Sequence, residues 1–456
     1  MSSTPSAQPI DPPGPRDLTP EDFNHQMRDN PITFFAGLAK AHGSLVFLPQ
    51  VNAYVVSDPD LFAHILRDSE RGFVKSPRIM EGFRSSFGDG LALMGGEEWK
   101  QRRQLYSPLT SQTYRVRSQE ALQRIVDETL DEWQSSCGVP LNMTAAMKRY
   151  AMRVAVEFLF SVDIGDEASK MVDALDTLHA YCSYLIFDSK AREEIAAGTS
   201  AMHDRFTRAR AILDGIAQNI IDERAKETAQ GGGDLLSMFL SARDPSSGQR
   251  MSEREVREEL VLLFFQAHDP SGNSLACTVY LLARHPEVIE RIRSEFARKI
   301  GDRMPSIKDL SKLAYMRQVF DESLRVCPPT YSMSRISVDE VEYRGYRINR
   351  DATIFLSQWN LHHHPDLWPQ PDVFDPDRFS PEASKARHSC AFIPFGMGPR
   401  TCAGAQMVRV ESELLIPLLV KRYQPTVSPD FEPYPRGRLF TTWEPDIEVT
   451  LQPVRA

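Results

Sequence analysis

The chain has 456 residues, 41% of them hydrophobic and 25% charged, which is ordinary globular composition with enough apolar material for a large core. Its formal net charge of −9 disfavours a nucleic-acid-binding surface, which needs concentrated positive charge. No apolar run of about 20 residues is present, and the six cysteines form no C-x-x-C pair. We therefore expect no stable membrane anchor, no disulfide framework and a reducing, cytoplasmic setting.

The first part of the chain reads as a proline-rich tail followed by hairpin and helix patterns. Residues 1–16 are expected to be disordered, and residues 17–456 to form one domain. Residues 45–57 place β-branched and aromatic residues around a turn, which predicts a β-hairpin. Helical patterns follow in four segments, 117–136, 143–162, 167–187 and 200–225.

The longest helical pattern lies in the middle of the chain. Ser252 and Glu255 have the spacing of a capping box, and the pattern behind them continues to His285. A helix of this length would cross the whole domain. Further helices are predicted over 287–299 and 307–326.

The last part of the chain contains three segments with different sequence patterns. It alternates like strands over 335–357, becomes proline-rich and irregular over 362–382, and passes through a glycine-rich loop at 395–404. A final helix is predicted to end near Tyr423, with a kink at Pro417. The fold class is therefore predicted to be mainly α with small β-sheets (α+β), in a single domain.

The glycine-rich loop, FGMGPRTCAG, is the most informative segment. Its three glycines and its proline force an irregular backbone and place Cys402 at the start of the following helix. Peptide N–H groups and the helix dipole favour a thiolate there. The residues alone leave open a haem ligand, a buried structural cysteine or a nucleophile. Zinc is disfavoured, because the nearest other cysteine is Cys390 and no ligand pair has zinc spacing.

The same loop resembles the haem-binding signature of the cytochrome P450 family, Phe-x-x-Gly-x-Arg-x-Cys-x-Gly, at Phe395, Gly398, Arg400, Cys402 and Gly404. The resemblance implies a P450-like fold of the soluble, bacterial kind, with the long central helix over the haem. It implies haem b as cofactor and Cys402 as the ligand of its iron, with the other four residues around it. Arg400 suits a haem propionate, and a thiolate ligand favours O–O cleavage.

Three residues outside the loop extend the resemblance. Trp99 and Arg103 share one face of a predicted helix, and Arg335 lies on a predicted strand. The resemblance implies that all three bind the haem, the arginines through its propionates. Trp99 is similar to the membrane-associated branch of the family, whereas many soluble bacterial members have histidine there. Without the resemblance, the three would be ordinary surface residues.

Glu322 and Arg325 form a Glu-x-x-Arg pattern on one helical face. As bare sequence this is a common surface ion pair. The resemblance implies a buried pair that Arg378, from the proline-rich segment, completes as a structural triad around the cysteine loop.

The long helix departs from the family pattern. The family usually carries an acid followed by threonine there, and both groups help deliver protons to dioxygen. Here Asp269 matches the acid, Pro270 replaces the threonine, and Ser271 lies about 100° further round the helix. We assign these three residues to the catalytic site. Pro270 either kinks the helix and makes room for a ligand or alters proton delivery, in which case a water or a substrate hydroxyl would substitute.

The resemblance also implies a distal substrate pocket, drawn from the loop before Trp99, two helices, the segment 328–333 and a late turn. Its residues are mostly apolar, which indicates a hydrophobic substrate of natural-product, terpenoid or aromatic type. The candidates are Ile79, Met80, Phe83, Phe87, Leu91, Leu93, Leu185, Phe187, Phe264, Ala267, Thr330, Met333 and Phe440.

The predicted function is a haem-thiolate monooxygenase that activates dioxygen. Electrons would come from NAD(P)H through a ferredoxin or flavodoxin and its reductase. The positive charge of Lys100, Arg102 and Arg103 would bind the ferredoxin or flavodoxin. Pro270 motivates an alternative, a peroxide-driven or non-oxygenating enzyme that runs rearrangement, dehydration or coupling. An alternative of another class is a non-catalytic haem sensor or carrier, against which the retained Asp269 argues.

Overall fold

The computed structural model describes residues 9–68, 71–188, 190–227, 233–243 and 248–454. Helices dominate it, as predicted. They are α1 (Pro20–Asp29), α2 (Pro31–His42), α3 (Pro59–Arg67), α4 (Pro77–Phe87), α5 (Gly96–Leu105), α6 (Gln112–Arg117), α7 (Gln119–Gln134), α8 (Met143–Phe160), α9 (Glu167–Phe187), α10 (Ala191–Ala196), α11 (Ala201–Glu227), α12 (Leu235–Ser241), α13 (Glu253–Arg284), α14 (Pro286–Lys299), α15 (Ala314–Val326), α16 (Gln358–His362), α17 (Pro381–Lys385) and α18 (Ala405–Arg422).

The strands are short. They are β1 (Leu45–Leu48), β2 (Ala53–Val56), β3 (Phe73–Val74), β4 (Pro140–Asn142), β5 (Ser332–Ser337), β6 (Val341–Tyr343), β7 (Tyr346–Ile348), β8 (Thr353–Ser357), β9 (Tyr423–Thr426), β10 (Tyr434–Gly437), β11 (Thr441–Glu444) and β12 (Glu448–Pro453). The largest sheet has the order β1-β2-β8-β5-β3, in which only β2 and β8 run parallel. The hairpin predicted over 45–57 is confirmed, since Leu45 pairs with Val56. The other sheets are β4-β12-β9, β10-β11 and β6-β7.

The long helix α13 is the centre of the fold. Ser252 caps it and forms the predicted capping box with Glu255. It packs so closely on α8 that a Cβ added to Gly272 would lie 2.8 Å from the Cα of Lys148. Glycine is therefore required at this crossing, and the close approach brings the Lys148 side chain beside the middle of α13.

The helices predicted from periodicity are confirmed, with one wrong boundary. The segments 117–136, 143–162, 167–187 and 200–225 correspond to α7, α8, α9 and α11, with ends that differ by at most two residues. The helix predicted over 307–326 begins only at Ala314. The backbone N–H of Ser306 donates to the Asp309 carboxylate at 3.0 Å, and this turn competes with helix formation.

The proline-rich start is more ordered than predicted. Residues 1–8 lie outside the described residues. Of the remainder of the predicted disordered segment, Ile10 forms a bridge with Tyr346, and the carbonyl of Pro13 accepts the N–H of Phe47 at 2.9 Å. The prediction of disorder was wrong for residues 9–16, because the edges of two sheets offer unpaired backbone groups to this segment.

Two expectations came from composition. Cys277 and Cys327 are joined in a disulfide with Cα atoms 6.7 Å apart, a single pair that the expectation of no disulfide framework did not anticipate. The pair carries no sequence signal, because the packing of α13 against α15 brings together residues separated by 50 positions. For the membrane, no described helix is both long enough and apolar enough to be a spanning segment.

Candidate active site

The cysteine loop is closed by its own backbone. The N–H of Cys402 donates to the carbonyl of Phe395 at 2.9 Å. Gly398 has a φ of +74°, and a Cβ there would lie 2.7 Å from the carbonyl oxygen of Leu66, so this position requires glycine. The chain then enters α18 at Ala405. Cys402 is thereby fixed just before the helix, as the sequence predicted.

The side chain of Cys402 is accessible although protein surrounds it. Its side chain is exposed, yet burial is the largest influence on its pKa and raises it above the ordinary value for cysteine. The backbone N–H groups of Gly404 and Ala405 and the charge of Arg103 oppose that rise, because they favour the thiolate. An accessible side chain that protein surrounds in this way indicates a cavity beside it. A metal cation there would hold the sulfur as thiolate.

One face of α13 also borders open space. The middle of this helix is buried, except that Leu263, Gln266, Ala267 and Pro270 are partly exposed. Their spacing of three, one and three residues places them on one face. Partial exposure along one face of an otherwise buried helix indicates a cavity beside it, so Ala267 and Pro270 line the open side of α13.

The structure brings three predicted cofactor-binding residues together at the cysteine loop. The guanidinium of Arg400 lies 4.0 Å from the ring centroid of Trp99. Arg103 donates to the carbonyl of Thr401 at 3.1 Å. Arg335 is buried on β5, where it donates to the carbonyl of the preceding residue at 2.7 Å. The assignment of Arg335 to the cofactor stays a prediction.

These side chains fit a haem. Cys402 offers a sulfur ligand in a cavity, and the partly exposed Phe395 offers an apolar contact for the porphyrin. Arg103 and Arg400 supply the cationic donors that carboxylates such as haem propionates prefer. The donor set therefore matches the iron, the ring and the acidic edge of the cofactor.

The predicted structural triad is assembled. Glu322 and Arg325 are both 0% exposed, and two hydrogen bonds of 2.7 and 2.8 Å join them. The Nε of Arg378 lies 3.4 Å from Glu322. Burial raises the pKa of Glu322, while Arg325 chiefly opposes the rise. The triad ties α15 to the proline-rich segment.

Asp269 lies in a buried ion-pair network instead of on the exposed face of α13. It is 0% exposed, with one oxygen 2.9 Å from the Nζ of Lys148 and the other 3.2 Å from the Nδ1 of His179. Burial alone would raise its pKa, but the charge of Lys148 and the contact with His179 hold it well below the ordinary range. Lys148 also binds the half-exposed Asp176 at 2.8 Å. Asp269 therefore stays ionised, and its catalytic role stays a prediction.

Pro270 and Ser271 point to different surroundings. Pro270 lies on the exposed face, and its carbonyl accepts a hydrogen bond from Ser274 Oγ at 2.7 Å. Ser271 is only 3% exposed and its hydroxyl faces Glu411 of α18, whose pKa it lowers. Ser271 therefore does not supply the hydroxyl that Pro270 lacks, and its catalytic assignment finds no support in this geometry.

Glu411 is a buried acid that sequence reasoning missed. It is 1% exposed, and burial raises its pKa to about 8 despite the Ser271 hydroxyl. Its only sequence signal is an acid among apolar residues of α18. The folded protein therefore keeps a proton on Glu411 that the unfolded chain releases near pH 4.3. Stability from this group is complete below about pH 4 and falls as the pH rises towards 8.

We expect Glu411→Gln to remove this pH dependence. Between pH 5 and pH 8, the wild type should lose on the order of 4 kcal/mol of unfolding free energy that the variant keeps, because glutamine needs no proton. Urea titrations of the two proteins at both pH values measure it. Glu382→Gln, at an exposed residue, is the control. Equal pH dependence in Glu411→Gln and Glu382→Gln would contradict a protonated Glu411.

Three of the predicted pocket residues meet in one aromatic cluster, through a residue that the sequence analysis passed over. Phe265 stacks on Phe87 with ring centroids 4.1 Å apart, lies 6.3 Å from Phe83 and lies 5.4 Å from Phe440. Phe264 faces the other way, against Phe160 at 5.9 Å, so its assignment to the pocket finds no support in this geometry. One residue turns a helix by about 100°, and periodicity alone does not fix that phase.

The other pocket candidates are spread over several surroundings. Leu93 is buried in the main core, whereas Met333 packs against the core of the five-stranded sheet. The remaining candidates are all partly exposed. They are Ile79, Met80, Leu91, Leu185, Phe187, Ala267 and Thr330.

The proposed docking cluster on α5 does not present a positive surface. Arg102 is only 11% exposed and binds Glu259 at 3.3 Å. Arg103 is turned inward to the cysteine loop. Lys100 is exposed but pairs with Glu97 at 3.0 Å. The prediction was wrong for this cluster, because neighbouring residues of one helix point in different directions.

Comparison with known proteins extends over nearly the whole chain. Residues 12–451 match the family model described as Cytochrome P450. The chain is 30% identical over 405 residues to cyclooctat-9-en-7-ol 5-monooxygenase of Streptomyces melanosporofaciens, covering 86% of this chain and 85% of that protein. It is 26% identical over 423 residues to pentalenene oxygenase of Streptomyces avermitilis, covering 92% of each.

Solved structures share the fold. The heme domain of cytochrome P450DA superposes with a TM-score of 0.87 at 24% identity, covering 98% of this chain and 99% of that one. Retinoic acid bound cyanobacterial CYP120A1 gives a TM-score of 0.84 at 23% identity, covering 98% and 100%. At these identities the likeness shows the fold alone, and it agrees with the predicted mainly α architecture.

Proposed function

The chain belongs to the cytochrome P450 family of haem b monooxygenases, and we propose that it oxidises a hydrophobic terpenoid with dioxygen and with electrons from NAD(P)H. The observation that carries the proposal is the Cys402 side chain, which is accessible although protein surrounds it and which lies beside backbone N–H groups at the start of α18. A nucleophile or a structural cysteine would not need the surrounding set of Trp99, Arg103 and Arg400.

The chain's own residues bind and orient the cofactor. Cys402 would hold the iron, Arg103 and Arg400 would neutralise the propionates, and the triad of Glu322, Arg325 and Arg378 would keep the loop in place. When bound, the haem supplies the chemistry of dioxygen activation, which a thiolate ligand favours.

We propose that a polar chain from the surface serves proton supply. Asp176 has a side chain that is 46% exposed, Lys148 binds it at 2.8 Å, and Lys148 also binds Asp269 at 2.9 Å. These contacts join solvent to the buried middle of α13 through two ion pairs. His179 holds the second oxygen of Asp269 and thereby fixes its orientation.

The aromatic cluster of Phe83, Phe87, Phe265 and Phe440 supports an apolar substrate. Two relatives are named for cyclooctat-9-en-7-ol and pentalenene, which are apolar cyclic compounds of the terpenoid class. A cyclic terpenoid is therefore the substrate class we propose. Separate redox proteins, a ferredoxin or flavodoxin with its reductase, would supply the electrons.

The proposal is tested with a panel of cyclic terpenoids. Each compound is added to the holoenzyme while the haem spin state is followed by absorbance, and those that shift it are incubated with NADPH and a surrogate ferredoxin and reductase. We expect at least one shifting compound to yield an oxidised product only when NADPH is present. Oxidation that needs no NADPH, or binding without any product, would contradict it.

Pro270 favours a second candidate, a peroxide-driven or non-oxygenating enzyme. It occupies the open face of α13 without a hydroxyl or an N–H, and the neighbouring Ser271 is turned to Glu411. Ordinary delivery of protons by a threonine hydroxyl is therefore absent at residue 270. The enzyme would then use hydrogen peroxide directly, or rearrange its substrate without inserting oxygen.

We expect Pro270→Thr to raise the fraction of NADPH electrons that reach product, by about two- to tenfold, because it places a hydroxyl on the open face of α13. Proton transfer by a positioned group typically contributes about a hundredfold or more to a rate. NADPH consumption and product are measured together.

Pro270→Ala is the matched control, because it also removes the ring but adds no hydroxyl. It should leave the coupling of NADPH use to product near the wild-type value. A collapse of activity in both variants would instead assign Pro270 to the mechanism and favour the second candidate.

A further inference from the structure

The segment between α4 and α5, residues 88–95, is here called the pocket loop. It carries the pocket candidates Leu91 and Leu93 and directly precedes the helix of Trp99. The loop lies on the first half of α13. A Cβ added to Gly88 would lie 2.5 Å from the Cγ of Glu258, and one on Gly90 would lie 2.8 Å from Leu262. Glycine is needed at residue 88, which has a φ of +87° and where an added Cβ would also lie 2.8 Å from the Cβ of Glu258.

Two consecutive carboxylates of α13 hold the backbone of this loop. Glu258 accepts the N–H of Asp89 at 3.0 Å. Glu259 accepts the N–H of Leu91 with both oxygens, at 3.0 and 3.2 Å. A carboxylate that accepts a backbone N–H makes a charge-assisted hydrogen bond, roughly twice as strong as a neutral one.

Glu259 joins three separate segments at one buried point. It is 1% exposed, and besides the pocket loop it binds the hydroxyl of Tyr106 and, at 3.3 Å, the guanidinium of Arg102. Burying a charge is costly, and an apolar residue at this position would avoid that cost. An apolar residue would not fix the N–H of Leu91, however, so the carboxylate specifies where the loop lies.

The other end of the pocket loop is tied to the cysteine loop. Arg400 donates to the carbonyl of Met94 at 2.9 Å while its guanidinium stacks on Trp99. The pocket loop therefore has a fixed end at the haem-binding residues and a second fixed end at α13. Glu259 sets the position of the middle of the loop, which contains Leu91 and Leu93.

We propose that Glu259 is a positioning residue that sets the affinity for bulky ligands by holding the pocket loop closed over the distal cavity. The inference rests on the proposed function, because it needs a haem and a pocket beside this loop. Release of Leu91 from Glu259 would open the loop. A bulky ligand would then leave faster, whereas a ligand too small to touch the loop would leave at its former rate.

The test uses two probes that bind haem iron directly, imidazole and 4-phenylimidazole, on the full-length holoenzyme. Their dissociation rate constants are measured by absorbance in the wild type, in Glu259→Gln and in Glu290→Gln, a matched change at an exposed residue of α14 whose side chain is 67% exposed. Tyr106→Phe, which removes one hydroxyl donor to Glu259, is a milder second variant in case Glu259→Gln does not fold.

We expect Glu259→Gln to raise the ratio of the 4-phenylimidazole rate to the imidazole rate by about tenfold, the equivalent of one charge-assisted hydrogen bond. Tyr106→Phe should raise it by about threefold, and Glu290→Gln should leave it unchanged. A ratio equal to the wild-type value in both Glu259→Gln and Tyr106→Phe would overturn the inference. Failure of either azole to change the wild-type spectrum would instead overturn the proposed function on which it rests.

Discussion

Cys402→Ser is expected to abolish the thiolate signature in the spectrum of the reduced carbon monoxide complex and to eliminate NADPH-dependent turnover. Serine is similar in size to cysteine, and the backbone N–H groups of Gly404 and Ala405 remain around it. Its hydroxyl does not ionise at neutral pH, whereas a metal-bound thiol does. Arg103 and Arg400 remain, so the variant should still take up haem. The loss is therefore one of ligation and not of folding.

Cys137→Ser is the matched control for this change. Cys137 is a partly exposed free cysteine outside the loop, and its replacement should leave the spectrum unchanged. If Cys402→Ser keeps the wild-type spectrum, the iron ligand lies elsewhere and the assignment of the cysteine loop is wrong. The measurement needs no knowledge of the substrate.

Arg325→Ala is expected to prevent accumulation of the folded holoenzyme. The guanidinium binds Glu322 and donates to the carbonyls of His362, Pro371 and Val373 at 3.0, 2.6 and 3.1 Å. Its removal leaves a buried carboxylate without its main partner, which costs about 3–5 kcal/mol. The carbonyl of the buried His362 also loses its donor, which adds about 1–3 kcal/mol, so the sum reaches the lower end of the stability of a typical domain.

The yield of haem-loaded protein and its urea midpoint measure this effect. Arg344→Ala is the control, because Arg344 also pairs with carboxylates but is 58% exposed, and exposed pairs contribute only about 0–1 kcal/mol. Arg325→Lys should be intermediate, since a single ammonium does not reach all the carbonyls. Equal midpoints for Arg325→Ala and Arg344→Ala would contradict a structural role for the triad.

Local signals in the sequence predicted a large part of the fold. Capping residues such as Ser252 and Glu255 act within one helical turn, and apolar periodicity over a long segment such as 143–162 indicates a helix. The cysteine loop was equally predictable, because its ligand and its glycines lie within ten residues. What these features share is that the interacting groups are close together in the chain.

The contacts that the sequence did not predict arise where distant segments meet. The partners of Asp269, Lys148 and His179, come from α8 and α9, and their spacing in the sequence does not indicate the contact. Phe265, and not the candidate Phe264, joins the aromatic cluster, because the phase of a helix is decided by what packs on it. The pairing of Ile10 with Tyr346 is of the same kind.

Oxygen-isotope labelling of the product decides between a monooxygenase and the alternatives that Pro270 suggests. The terpenoid that gives the largest spin-state shift is turned over under ¹⁸O₂ with NADPH and surrogate redox proteins, and the product mass is measured. We predict that each product molecule carries one ¹⁸O atom. A product without ¹⁸O, or one whose oxygen comes only from added labelled hydrogen peroxide, would contradict a dioxygen-dependent monooxygenase.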